Sequence, residues 1–313
     1  IDDQNRQRQH QPGIPADRGL YSSAHEHDAC GVGMAANLNN IPEHRIVEAG
    51  LTVLKNLMHR GAAGNDPETG DGAGLLMALP HKFFHRIENL PPAGKYGVAM
   101  IFGGIGRESE IEKIVTSKKA TVLTWRDVPT ASYTIGKTAQ ASCPMIRQLF
   151  IGGENFADQN EFERKLFVIR RLIEKNVPDA YICSCSSRSI VYKGLLLATQ
   201  LEKFYPDLNE PDFEAAVVVV HQRYSTNTFP TWNLAHPFRY LAHNGEINTL
   251  RGNLNHLRGR EPYLENELLG NDLKELLPLI DKGVSDSAAL DNMFELLVAS
   301  GRSLCHSMLM MIP

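Results

Sequence analysis

Asp28-Ala29-Cys30-Gly31-Val32-Gly33 is the stretch on which the reading of this chain turns. A cysteine heads a small, apolar, glycine-punctuated run, Gly31 to Leu38, that reads as a strand. Glycine inside a strand pattern marks a close approach, and Gly31 and Gly33 clear side chains from beside Cys30. Residues 1–29 are polar, carry Pro12 and Pro15, and read as an extended or disordered leader. The inference is that Cys30 is an N-terminal nucleophile in waiting, exposed when the leader is removed. A thiol attacks an acyl carbon as the thiolate and needs a base nearby. A free α-amine, with a pKa of about 7.7–8.0, takes that proton near neutral pH. A mature Cys30 would therefore carry its own base, acting directly or through a water. The plain alternative is a strand cysteine that only packs, since free cysteine is among the most buried residue types.

Composition narrows the class. The chain has 313 residues, 42% of them hydrophobic, enough for one large core or two ordinary ones. A net charge of -4 with the signs interspersed leaves no footprint for nucleic acid. No apolar run is long enough to span a bilayer as a helix, and residues 1–29 lack the apolar core of a secretory signal. The five cysteines, Cys30, Cys143, Cys183, Cys185 and Cys305, are odd in number and scattered, which argues against a disulfide framework and for a reducing compartment. His25-x-His27-x-x-Cys30 fits no usual zinc spacing, so no metal is expected. The chain begins with Ile1 and stops inside an apolar run at Pro313, and is expected to be part of something longer.

Between these ends helical and strand periods alternate. Val47, Leu51, Leu54 and Met58 fall at helical spacing from His44 to His59, with Gly61 as the punctuation. Gly70-x-Gly72-x-Gly74 precedes a strand, Leu75 to Leu79. Phosphate loops precede a helix, so a turn with close backbone approach is the better reading. Strands are expected at 96–102, 120–125 and 148–151, a turn at 103–106, and helices at 107–117 and 161–175. In the last of these, Phe162, Leu166, Ile169 and Leu172 share a face. Residues 181–192 read as paired strands around Ser187-Arg188, with Cys183 and Cys185 as same-face thiols and no redox motif. Ala215 to Val220 is a continuous apolar, β-branched run, the pattern of a central buried strand.

The second half of a site follows that strand. Arg223 ends it, and an arginine there is expensive unless it meets a carboxylate, such as a substrate's. Asn244-Gly245 is first of all a turn signal, but it also offers a side-chain amide beside a glycine N–H, the two donors an oxyanion hole needs. Ser285 or Asp286 would cap a helix running to Leu297, or Asp286 would bind a cationic amine. A thiol, an arginine, an aspartate and an Asn/Gly pair together would hold a free amino acid at both ends and attack an acyl group on its side chain, with glutamine the obvious substrate.

These residues carry a family resemblance. His27-Asp28-Ala29-Cys30-Gly31-Val32-Gly33, the run from Leu57-Met58-His59-Arg60-Gly61 to Gly74, and above all His221 to Asn255 resemble the glutaminase domain of glutamate synthases, a class II, Ntn-type glutamine amidotransferase. The resemblance covers the chain from about His25 onward. It implies an α+β fold, the αββα four-layer sandwich of two mainly antiparallel sheets flanked by helices. It implies a leader over 1–29 and an amidotransferase domain over 30–313, C-terminally truncated, with Cys30 freed by cleavage after Ala29. While Ala29 remains, Cys30 has no free amine and is expected to be inert. Cys30 would form a γ-glutamyl thioester, with its α-amine as base. Asn244 and Gly245 would form the oxyanion hole, and Arg223 and Asp286 would anchor the substrate. Arg60, Gly61 and Thr226 would support them. Asn233 stands where the resemblance implies proline. No cofactor is implied in this segment. The full-length enzyme would carry FMN and an iron–sulfur cluster in a synthase module on the same chain. Its electrons would come from a small NAD(P)H-oxidising subunit or from ferredoxin. The location implied is cytoplasmic, or a plastid if a transit peptide precedes Ile1. The competing reading is an unprocessed, non-catalytic regulatory or docking domain of the same fold.

Overall fold

Eight strands alternate with helices in a computed structural model that describes residues 18–20, 22, 31–222, 229–245, 247–281 and 283–312. The strands are β1 (Val32–Ala36), β2 (Ala73–Ala78), β3 (Tyr96–Gly103), β4 (Thr121–Asp127), β5 (Ile146–Gly152), β6 (Ala180–Ser186), β7 (Ser189–Gly194) and β8 (Val217–Gln222). The helices are α1 (His44–Asn56), α2 (His81–Ile87), α3 (Glu108–Ser117), α4 (Lys137–Ala141), α5 (Gln159–Asn176), α6 (Leu201–Phe204), α7 (Leu250–Arg260), α8 (Asp272–Glu275), α9 (Asp286–Ala299) and α10 (Leu304–Met311). All belong to the unit Gly31–Pro313. The strands form two antiparallel sheets, ordered β1-β8-β2-β7 and β4-β5-β3-β6. With helices flanking them, this is the α+β, two-sheet plan expected from the sequence.

The strand alternation sorts side chains into cores. Leu75, Met77, Ile190, Tyr192, Val218 and Val220 lie opposite one another across the first sheet and enter the largest core. Val47, Leu51 and Leu54 of α1 and Val98, Met100 and Phe102 of β3 join them there. The other face of the second sheet, Ala99, Ile101, Leu149 and Ile151, packs on α3 and α5. Helix α5 begins with Asp158, whose Oδ1 accepts the Glu161 N–H at 2.8 Å, a standard N-cap. It buries two faces. Phe162, Leu166 and Ile169 meet the sheet, whereas Phe167, Val168 and Leu172 meet a third cluster with Leu273, Leu276 and Leu296. Leu172 therefore does not share the face expected for it; Ile173 completes that stripe.

Four further expectations change. β6 and β7 are consecutive but not paired with each other, because β6 is laid on β3 and β7 on β2, so Ser187-Arg188 carries the chain from one sheet to the other. Cys183 and Cys185 do not share a face. The register slips between Met100 and Ile101, Cys183 has no opposite number, and the extra residue sends Cys183 into the largest core and Cys185 toward α5. β8 is central in its sheet, but Val217 is 42% exposed, because an antiparallel sheet can leave one face uncovered. The first long helix ends at Asn56 and a 3-10 turn follows over Met58–Arg60. Gly61 has φ −81°, so it is not a left-handed cap. The turn at 103–106 is as expected, with Gly103, Gly104 and Gly106 all at positive φ.

Candidate active site

The glycines after Cys30 have separate jobs. A Cβ on Gly33 would stand 2.3 Å from Val53 Cγ1, so Gly33 lets α1 lie on β1. A Cβ on Gly31 would stand 2.2 Å from the Gln222 carbonyl oxygen and 2.8 Å from Asn244 Nδ2. The Gly31 carbonyl accepts the Gln222 N–H at 2.8 Å. Gly31 is thus enclosed by the end of β8 and by the Asn244 amide. Gly61 meets the same strand end, since a Cβ there would overlap Gln222 Nε2 at 2.0 Å. What glycine supplies in the Arg60-Gly61 pair is room for the Gln222 side chain, not backbone handedness. At Gly70, ahead of β2, a Cβ would stand 2.2 Å from the Leu196 backbone, the close approach expected of that loop.

The segment 229–245 brings Asn244 to this place by crossing the first sheet. Trp232 lies on Gly194, where a Cβ would be 2.4 Å from its ring, and the His236 carbonyl lies as closely on Gly74. His221 Nε2 lies 3.0 Å from the His243 carbonyl, which only accepts, so His221 donates from Nε2. On the side of α9, Arg239 reaches Asn292 Oδ1 at 2.6 Å, Asp291 Oδ2 at 2.8 Å and Glu295 Oε2 at 3.0 Å. Asp291 Oδ1 also accepts the Tyr240 N–H at 2.8 Å. Asn244-Gly245 itself forms no turn, and Gly245 is not at left-handed φ, so the turn reading of this pair is set aside. Gly245 is exposed and Asn244 partly so.

Asp286 enters from the start of α9. The cap of that helix is Ser285, whose Oγ accepts the Ala288 N–H at 3.1 Å, so the capping reading holds for Ser285. The Asp286 carboxylate is buried and accepts the Ser287 N–H at 2.7 Å and the Ile247 N–H at 3.0 Å. It is thereby tied to the chain three residues past Asn244. Gly31, Gly61, Asn244 and Asp286 are joined through Gln222 and Ile247. Cys30, Arg223 and Thr226 lie outside the described residues.

Burial sets the charge states around this segment. It pulls the imidazoles of His236 and His243 below the usual histidine range, so both are neutral at pH 7. It pulls Lys193 down to about 8 and pushes the thiols of Cys143 and Cys183 up to about 11 and about 12. Those two cysteines are held as unreactive thiols. Among the described residues, no group of three or more His, Cys, Asp and Glu is placed to hold a metal ion, and no helix is long and apolar enough to cross a membrane. Sequence reasoning missed Lys193, His236 and Arg239. A lysine at a strand position flanked by Tyr192 and Gly194 was the one available signal.

An amide donor, Asn244 Nδ2, beside the residue that follows a cysteine, with a carboxylate fixed to the same segment, suits the chemistry of an acyl-transfer site. The chain belongs to the class II glutamine amidotransferases, whose family profile matches residues 30–313. It is 47% identical to a glutamate synthase (NADPH) large chain of Bacillus subtilis, over 96% of this chain and 21% of that one. It is 43% identical to the corresponding large chain of Azospirillum brasilense, over 94% of this chain and 20% of that one. A ferredoxin-dependent glutamate synthase 2 of Synechocystis is 40% identical, over 92% and 19%. The chain spans about a fifth of the length of these relatives.

Proposed function

We propose that this chain is the glutaminase part of a glutamate synthase, maturing by removal of residues 1–29 and hydrolysing L-glutamine at Cys30. The observation that carries the reading is the Asn244 amide, which lies against Gly31, the residue joined directly to Cys30. The Cys30 α-amine takes the thiol proton. The thiolate adds to the side-chain amide carbon, and the oxygen that gains charge is met by Asn244 Nδ2–H and the Gly245 N–H. The C–N bond then breaks, the amine returns its proton to the leaving nitrogen, and ammonia departs from a γ-glutamyl thioester. Water, deprotonated by the same amine, cleaves the thioester to glutamate and free thiol. Arg223 binds the substrate carboxylate and Asp286 its ammonium, with Arg60, Gly61 and Thr226 as support.

In the same reading the ammonia passes to a synthase module of the full-length polypeptide and is fixed reductively onto 2-oxoglutarate. FMN supplies the electron-transfer chemistry of that module. The described cysteines of this segment do not fit an iron–sulfur cluster, because Cys183 and Cys185 face opposite cores, so the cluster is assigned to the rest of the polypeptide. The electron donor is a small NAD(P)H-oxidising subunit or ferredoxin. The compartment is the cytoplasm, or a plastid where a transit peptide leads.

The test is intact mass and N-terminal sequencing of the full-length polypeptide, with ammonia release from glutamine measured on the same sample and on Cys30→Ala. A chain beginning at Cys30, active only with the thiol, is the expected result. An active chain still carrying Ala29, or an active Cys30→Ala variant, refutes the mechanism.

A further inference from the structure

Lys193 is out of place by the rules that govern cores. It sits in β7 at 0% exposure, opposite Gly74 of β2. Its ammonium donates to two neutral partners, Tyr181 Oη at 2.9 Å and the Asn233 carbonyl at 2.8 Å. It also stands 4.6 Å from the centre of the Phe238 ring and 4.9 Å from that of Tyr181. The nearby carboxylates are engaged elsewhere, Asp291 by Arg239 and Glu174 by Arg170. A buried ammonium with neutral partners is costly, and a methionine would fill similar space without that cost. What the ammonium adds is its grip on segment 229–245.

The contacts continue from Lys193 to Asn244 without a gap. Phe238 packs edge-on against His236 with ring centres 4.6 Å apart, and His236 stacks on His221 at 4.4 Å and 23°. His221 bonds the His243 carbonyl, and the next residue is Asn244. Glycine at position 74 lets the His236 carbonyl descend onto the sheet.

We propose that Lys193 is a positioning residue for the oxyanion donors. It fixes segment 229–245 on the first sheet through Asn233 and Phe238, and through the His236–His221 stack holds Asn244 beside Gly31. The proposal rests on the glutaminase reading. A group acting through Asn244 affects the transition state and not ground-state binding. Its loss therefore lowers kcat, leaves KM nearly unchanged, and matters little once Asn244 is gone.

The experiment is a double-mutant cycle in the full-length enzyme with Lys193→Met, Asn244→Ala and the pair. Glutaminase kcat and KM are measured per site that reacts with an electrophilic diazoketone analogue of glutamine, so unfolded protein is not counted. Lys193→Met alone is expected to lower kcat by about tenfold or more with KM within about threefold, and by no more than about twofold in the Asn244→Ala background. An equal loss in both backgrounds, or none in either, overturns the proposal. If Lys193→Met yields no reactive sites, Tyr181→Phe, which removes one ammonium partner without touching the segment, is put through the same cycle with the same criteria. Cys30→Ala separates the two ideas. If it retains activity, the glutaminase reading and this proposal both fall; if it is inactive and the cycle is additive, only the role of Lys193 falls.

Discussion

Arg239→Met tests how the active segment is joined to α9. The guanidinium is buried between Asp291, which is 0% exposed, and Glu295, and it also donates to Asn292. Burial alone would lower its pKa, but the two carboxylates outweigh that and hold it above the ordinary arginine value. The two acids would fare differently without it. Glu295 keeps Arg170, itself wholly buried. Among the described residues, Asp291 keeps only the Tyr240 N–H at 2.8 Å as a hydrogen-bond donor. Removing one partner from a buried ion pair costs about 3–5 kcal/mol, because the remaining charge is left in a low dielectric. That is a large share of a domain's stability of about 5–15 kcal/mol. With an m-value of about 3 kcal/mol per molar urea, the unfolding midpoint falls by about 1 to 1.7 M. Adding Asp291→Asn removes the stranded charge while leaving an oxygen for the Tyr240 N–H, and should return about 1–3 kcal/mol. Urea unfolding followed by tryptophan fluorescence reads both changes. A loss below about 1 kcal/mol for Arg239→Met, or no recovery in the double variant, would mean that the charges are solvated and the argument from burial is wrong.

Gly33→Ala places a methyl 2.3 Å from Val53 Cγ1 and is expected to cost about 1–3 kcal/mol; Val53→Ala should restore most of it in the same unfolding assay. Lys193 titrates at about 8 when folded, against 10.5 for a free lysine, because burial disfavours its charge. Between those values the unfolded chain binds more protons, so this group raises stability by about 3 kcal/mol as pH climbs from about 8 to 10.5. Between pH 7 and pH 10 the unfolding free energy of the parent should rise by about 2.5 kcal/mol more than that of Lys193→Met, and parallel profiles would contradict the burial. Asp286→Asn keeps an acceptor for the Ile247 N–H but loses the charge proposed to meet a substrate ammonium. Its KM for glutamine should rise about tenfold to a hundredfold with kcat changed less, and an unchanged KM would remove that role.

What was legible in the sequence was local. Gly31 and Gly33 announced close approaches because a missing Cβ in a strand has few other uses, and the spacing of apolar residues announced α5, though not its Asp158 cap or its first turn. The block around Asn244 was singled out by its residue types, amide, glycine N–H and carboxylate, and the structure lays the amide beside Gly31 and ties the carboxylate to Ile247. What failed was any reading that assumed an unbroken period. One bulged residue at Cys183 reversed the faces of two thiols, and no pattern in Tyr-Ile-Cys-Ser-Cys-Ser marks it. The Ser187-Arg188 corner resembled a hairpin because a sheet change and a hairpin use the same short polar turn. Segment 229–245 has no period at all, and its path is set by single polar groups on distant elements: Lys193 on a carbonyl, His221 on a carbonyl, Arg239 on two acids. A carbonyl partner leaves no trace in the sequence, since every residue has one. The same fact bears on tolerance to change. Asn233 can stand where proline was expected because its side chain is exposed and Lys193 bonds its carbonyl, which proline also offers.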